Sequence, residues 1–101
     1  MTCEEARQKL AEYRVAIDDL DRRIVELLNE RTRVVEDIGR VKRSARLPIY
    51  EPRREDQVYE NISRASADGP LTKEAVRRIY ERIIDEMRGV QRARMERDGD
   101  S

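Results

Sequence analysis

The longest stretch of the chain without proline, residues 5–43, constrains the fold more than any other feature. Apolar residues recur there every three or four positions, which is typical of an amphipathic helix. Most of them fall on the a and d rows of a heptad repeat, namely Leu10, Ile17, Ile24, Arg31 and Ile38 on one row and Tyr13, Leu20, Leu27, Val34 and Val41 on the next. Such a helix extends about 55 to 60 Å at ~1.5 Å per residue, far beyond the width of a domain of this size. Its far half must therefore pack on something else, most simply a second copy of the chain.

Two shorter helices follow. Pro48 disfavours helix at the residue before it, so the first helix ends near residues 44–50. Pro52 suits the first position of a new helix, and Thr72 is a good N-cap for a third. The end of the chain is charged and poor in apolar residues, so we expect it to fray. We predict one all-α domain over residues 1–101, with a long helix (about 5–43), a short one (about 52–65), a medium one (about 72–92) and a frayed tail (93–101).

Composition excludes several classes of function. Lysine plus arginine (22) balances aspartate plus glutamate (22), so no overall field attracts nucleic acid or an anionic membrane. There is no histidine, and Cys3 is the one cysteine, which removes zinc sites and Cys/His nucleophiles. No glycine-rich phosphate loop and no run of 18 apolar residues occurs. We therefore expect no metal, no cofactor, no membrane contact and, from the free thiol and the acidic start, a cytoplasmic location.

Three cations on the first helix are not explained by packing alone. Arg31 occupies an apolar row between Ile24 and Ile38, where a guanidinium needs a partner or a ligand. Lys42, eleven residues later, is about 20° further round the helix and shares that face. Arg14 is about 25 Å away along the axis and can join Arg31 only from a partner chain. The alternative is that all three snorkel or form surface salt bridges.

Two polar residues stand on the inner faces of the other helices. Gln91 continues the apolar stripe of the third helix, and Glu55 begins the inward row of the second. Each also has a plain interpretation, Gln91 as a solvated last-turn residue and Glu55 as a capping or surface acid. With the cations they suggest an anion site, for a small dicarboxylate or a phosphate. Because no activated nucleophile is present, any catalysis would come from positioning and fixed charge.

From Arg14 to Gln91 the chain resembles the all-helical chorismate mutases. The resemblance rests on IDDLDRRIVELLNER at residues 17–31, IGRVK at 38–42, PIYEPRRE at 48–55, and the final Gln91. It implies an intertwined three-helix homodimer whose first helices pair along their length. It also implies two equivalent sites, each completed by the other subunit.

The activity that the resemblance implies is the cofactor-independent rearrangement of chorismate to prephenate, on the route to phenylalanine and tyrosine. Lys42 and Gln91 match the family's groups at the ether oxygen. Arg31, with Arg14 of the partner subunit, matches the pair that grips the substrate carboxylates. The remaining matches are Arg54, which adds positive field, and Glu55 with Glu51, which bind the ring hydroxyl.

Two residues depart from the family pattern. Glu51 is longer than the aspartate of some members, and Met87 stands where a small polar residue often lines the pocket. A methionine there predicts altered substrate packing rather than lost chemistry.

Two other functions remain open from the sequence. An isochorismate pyruvate lyase of the same fold shares the cations and Gln91, although the acid Glu55 favours the mutase. A non-catalytic dimerisation module would explain the heptads, but not Arg31 in the apolar row.

Overall fold

The computed structural model describes residues 1–99, with residues 98 and 99 described by their backbone alone. Three α-helices make up this part of the chain: α1 (Cys3–Ala45), α2 (Pro52–Ala65) and α3 (Lys73–Gly99). Residues 1–99 contain no strand. The predicted all-α class and the order of a long, a short and a medium helix are confirmed.

Local hydrogen bonds explain where α1 and α3 begin. The Thr2 hydroxyl accepts from the Glu5 N–H at 3.1 Å, and the Glu5 carboxylate accepts from the Thr2 N–H at 3.4 Å. This reciprocal pair satisfies two backbone donors at the start of α1. The Thr72 hydroxyl likewise accepts from the Ala75 N–H at 3.1 Å, which confirms Thr72 as the cap of α3.

The end of α1 is a tight backbone cap built on Arg46. The Leu47 N–H donates to the Lys42 carbonyl at 2.8 Å, and the Arg46 N–H donates to the Arg43 carbonyl at 3.3 Å. These two bonds define a Schellman motif, whose turning residue is usually glycine. Here Arg46 adopts the left-handed conformation, with φ of 58°. The cap turns the chain toward Pro48, and α2 starts at Pro52 as predicted.

The third helix is longer than the sequence suggested. We expected a frayed tail from residue 93, but α3 continues to Gly99, and only residues 100 and 101 lie outside the described part. Arg94 is half-buried, and its Nη1 lies 3.7 Å from Glu36 Oε2 on α1. A charged segment of good helix formers therefore stays helical because one of its cations packs against a neighbouring helix.

The chain divides within α1 into two compact units. The first, Met1–Arg33, consists of the N-terminal part of α1. Its heptad-row apolar side chains are all exposed: Leu10, Tyr13, Ile17, Leu20, Ile24 and Leu27. The single domain predicted over the whole chain stays a prediction.

The second unit begins at Val34 and contains the end of α1 with α2 and α3. Its buried apolar residues are Val35 from α1 and Ile84 and Met87 from α3. Gly39 lets α1 approach α3 closely, since a Cβ there would lie 3.7 Å from the Cγ of Gln91. The core of this unit therefore runs along the meeting line of α1 and α3.

Candidate functional site

Lys42 is a buried ammonium in the last turn of α1. Its residue is 7% exposed, and its Nζ donates to the Ile49 carbonyl at 2.9 Å. The same Nζ lies 2.8 Å from Glu51 Oε1. A buried cation needs such partners, because removing an unpaired charge from water costs several kcal/mol. An ammonium has three donors, so one remains beyond these two acceptors for a ligand.

Gln91 supplies a buried amide beside Lys42. It is 8% exposed, and its Oε1 accepts no hydrogen bond within the described residues. It packs on Gly39, which lies one helical turn before Lys42 on the same face of α1. A buried amide with an unused acceptor is uncommon, since its desolvation costs about 1–3 kcal/mol. The two predicted catalytic groups therefore line one polar place in an otherwise apolar interface.

The N-terminal turn of α2 carries the two predicted acids. The Glu55 N–H donates to the Glu51 carbonyl at 3.0 Å, so the acids lie one turn apart. Glu51 makes no side-chain bond to the helix terminus that it caps, because its carboxylate pairs with Lys42. Glu55 is bound from α3 instead. Arg88 Nε donates to Glu55 Oε2 at 2.9 Å, and Arg88 Nη2 donates to Glu55 Oε1.

Arg88 was not among the residues singled out from the sequence. It lies 33 positions from Glu55, and no local spacing connects the two. Its guanidinium also lies 5.3 Å from the centroid of the Tyr50 ring. The hydrogen bond to Glu55 raises the pKa of Arg88, so the pair stays ionised. The one available signal was the position of Arg88 immediately after Met87 on the inner row of α3.

A second cation links α2 and α3 on the outer side. The Arg77 guanidinium lies 4.1 Å from the centroid of the Tyr59 ring, and its Nε lies 3.4 Å from Glu81 Oε1. Burial raises the pKa of the Tyr59 phenol, which keeps the ring neutral under the cation. A surface hollow of about 410 Å³ borders this region, with Tyr59, Glu81 and Arg88 in its wall.

The structure groups some of the predicted residues and leaves others apart. Lys42, Gln91, Glu51 and Glu55 belong to the second unit, where ion pairs and packing connect them to one another or to α3. Arg54 belongs there too and is exposed. Arg14, exposed, and Arg31, half-buried, lie in the first unit, and their predicted place at the same site stays a prediction. Met87 is buried on the row of Gln91.

Two searches of residues 1–99 gave negative results. No group of three or more potential metal-ligating side chains occurs there. None of the helices in this range has the length and apolar character needed to cross a membrane.

Comparison with known proteins identifies the family. Residues 13–92 match the family described as chorismate mutase type II. The chain belongs to this family. The resemblance predicted from the sequence is thus confirmed, and so, at the level of the family, is the enzyme class of a chorismate mutase.

Individual chorismate mutases agree with this assignment. A bifunctional chorismate mutase/prephenate dehydratase of Aquifex aeolicus is 40% identical over 80 residues, which cover 76% of this chain and 22% of that protein. A chorismate mutase of Methanocaldococcus jannaschii is 28% identical over 89 residues, covering 88% of this chain and 90% of that one. The chain thus spans about a fifth of the bifunctional relative and most of the single-function one.

A solved chorismate mutase has the same fold. The structure of the form II enzyme from Thermus thermophilus superposes with a TM-score of 0.79 at 30% identity, covering 83% of this chain and 94% of that chain. The three-helix architecture of the chorismate mutase is therefore shared.

Proposed function

We propose that this chain catalyses the [3,3] sigmatropic rearrangement of chorismate to prephenate. The observation that carries the proposal is the pair of buried polar groups, Lys42 and Gln91, at the α1–α3 interface of a chain that belongs to the chorismate mutase family. Both are donors held in an apolar setting, where electrostatic interactions are stronger than in water.

These two donors suit the charge that develops during the reaction. The C–O bond breaks ahead of C–C bond formation, so negative charge grows on the ether oxygen. A donor that meets this oxygen more strongly in the transition state than in the substrate lowers the barrier. Lys42 is fixed by Ile49 and Glu51 before substrate arrives, so little reorganisation is needed. The amide NH2 of Gln91 provides the second donor.

The substrate carboxylates require further cations, and these come from α1. We assign them to Arg31 and to Arg14 of the partner subunit, which would hold the diaxial conformer in which the reacting carbons approach. The exposed apolar rows of α1 support an intertwined homodimer, because contiguous apolar surface of this kind marks an interaction site. Arg54 adds positive field near the second helix.

The ring hydroxyl falls to the acids of α2. Glu55 accepts from it, with Glu51 beside it and at the same time bound to Lys42. No cofactor takes part, since positioning and fixed charge suffice for a pericyclic step. The product feeds phenylalanine and tyrosine synthesis, and the cytoplasmic location stays a prediction.

The purified chain, incubated separately with chorismate and with isochorismate, tests the proposal. We expect chorismate absorbance to fall and prephenate to appear by mass-resolved chromatography. Salicylate and pyruvate from isochorismate would instead assign the chain to the lyase branch. A folded dimer that converts neither compound would contradict both and favour a non-catalytic dimerisation module.

A further inference from the structure

Arg88 is the residue of α3 that ties the N-terminal turn of α2 to the core. Its planar guanidinium meets both carboxylate oxygens of Glu55 and covers the ring of Tyr50. The pair is largely sheltered, with side chains 27% and 19% exposed. Bidentate contacts of this kind fix the plane of a carboxylate as well as its position.

The two acids of α2 are thereby divided between two cations. Glu51 pairs with Lys42 of α1, and Glu55 pairs with Arg88 of α3. Like charges one helical turn apart repel, so each acid is stabilised by its own partner. The division also keeps Glu55 from competing for the remaining donor of Lys42. Without Arg88, an unpaired carboxylate would stand one turn from the Lys42–Glu51 pair.

A fixed Glu55 still has accepting capacity. A carboxylate offers about four lone-pair positions, and the two bonds from Arg88 occupy two of them. The others can accept from a hydroxyl group. An unneutralised acid would repel a substrate that carries two carboxylates, whereas the Glu55–Arg88 pair is neutral overall.

We propose that Arg88 is a positioning residue for substrate recognition: it holds Glu55 in the orientation that accepts the ring hydroxyl and cancels its charge toward the dianionic substrate. This inference rests on the proposed function, since it takes Glu55 as the group that meets the hydroxyl. Arg88 itself acts through Glu55.

Substitution of Arg88 tests the inference. Arg88→Ala should raise KM for chorismate about tenfold and leave kcat within about threefold, because a contact with the hydroxyl is made in both the ground state and the transition state. Arg88→Lys should recover only part of the loss, since a lysine keeps the charge without the planar fork. Arg88→Ala combined with Glu55→Gln should be no worse than Glu55→Gln alone.

Arg77→Ala provides the matched control. Arg77 also links α3 to α2, through the ring of Tyr59, and does not contact Glu55. It should lower the melting temperature much as Arg88→Ala does, with KM unchanged. Equal effects of the two variants on KM would overturn the inference and leave Arg88 with a structural role alone.

Chemical rescue separates positioning from folding. Arg88 lies in the wall of an open hollow of about 410 Å³, so a small cation can reach the space left by its side chain. Guanidinium chloride at low, non-denaturing concentration should restore KM of Arg88→Ala toward the wild-type value and have no such effect on Glu55→Gln. Absence of rescue, or a gain in kcat/KM on removing Arg88, would overturn the inference. Failure of the wild-type chain to convert chorismate would overturn the proposed function and the inference together.

Discussion

At the scale of single residues, burial separates groups that look alike in the sequence. Lys42 is one of many cations on α1, yet it alone among the described lysines and arginines is buried. Its partners, the Ile49 carbonyl and Glu51, come from the segment after the helix. Heptad position placed Lys42 on the right face, but the ion pair with Glu51 depends on the turn at Arg46 and was not foreseen.

Removing the Lys42 ammonium should slow the chemical step. We expect Lys42→Ala to lower kcat about 100-fold or more, since a preorganised donor to a developing oxyanion is lost. Steady-state kinetics with chorismate measure the change, and circular dichroism checks that the helices persist. Lys9→Ala, on the exposed start of α1, is the control. A kcat within about threefold of wild type would contradict the assignment.

Arg31 tests catalysis against simple dimerisation. We expect Arg31→Leu to abolish most activity, because a carboxylate of the substrate loses its cation, while the dimer persists or tightens as the apolar row becomes continuous. Light scattering coupled to size-exclusion chromatography measures the dimer, and kinetics measure activity. Arg33→Leu, at an exposed position two residues on, is the control. Retained activity in Arg31→Leu would argue for a structural arginine.

At the scale of elements, capping and proline signals were sufficient for most boundaries. Pro52 and Thr72 begin α2 and α3 as expected, because both act through local backbone bonds that sequence reveals. The end of α3 was misjudged, since Arg94 reaches Glu36 on another helix. Arg88 was missed for the same reason. Contacts between residues far apart in sequence depend on how helices pack, which periodicity does not specify.

The cap of α1 offers a prediction at this scale. Arg46→Gly should stabilise the chain by about 0.5–1 kcal/mol, because a left-handed conformation costs a non-glycine residue about 1–2 kcal/mol and part of that gain is offset by the flexible unfolded glycine. Arg46→Val should destabilise it, since β-branched residues tolerate positive φ poorly. Urea denaturation measures both. The reverse order of stabilities would contradict the Schellman geometry.

At the scale of the whole molecule, the site is complete only with groups that one compact unit does not contain. The second unit supplies Lys42, Gln91 and Glu55, and the first carries Arg14 and Arg31. The sequence predicted which residues are candidates, because their types and spacing match the family. Their assembly between chains depends on an interface that stays a prediction.

Mixing two inactive variants tests that assembly. Arg14→Ala and Lys42→Ala subunits, co-refolded in equal amounts, should regain about a quarter of wild-type activity, because half the symmetric dimers become mixed and one of their two sites is intact. Each variant alone is the control. If Arg14 served the site of its own chain, every mixed dimer would lack one group at each site and no activity would return.

The exposed apolar rows of α1 have a further consequence for how the molecule holds together. A chain whose longest helix leaves those side chains in water keeps much of its favourable burial for association. Folding and pairing are then one equilibrium, so the temperature at which the protein melts rises with its own concentration. Dilution unfolds such a protein as heat does, and its stability is a property of the solution as much as of the chain.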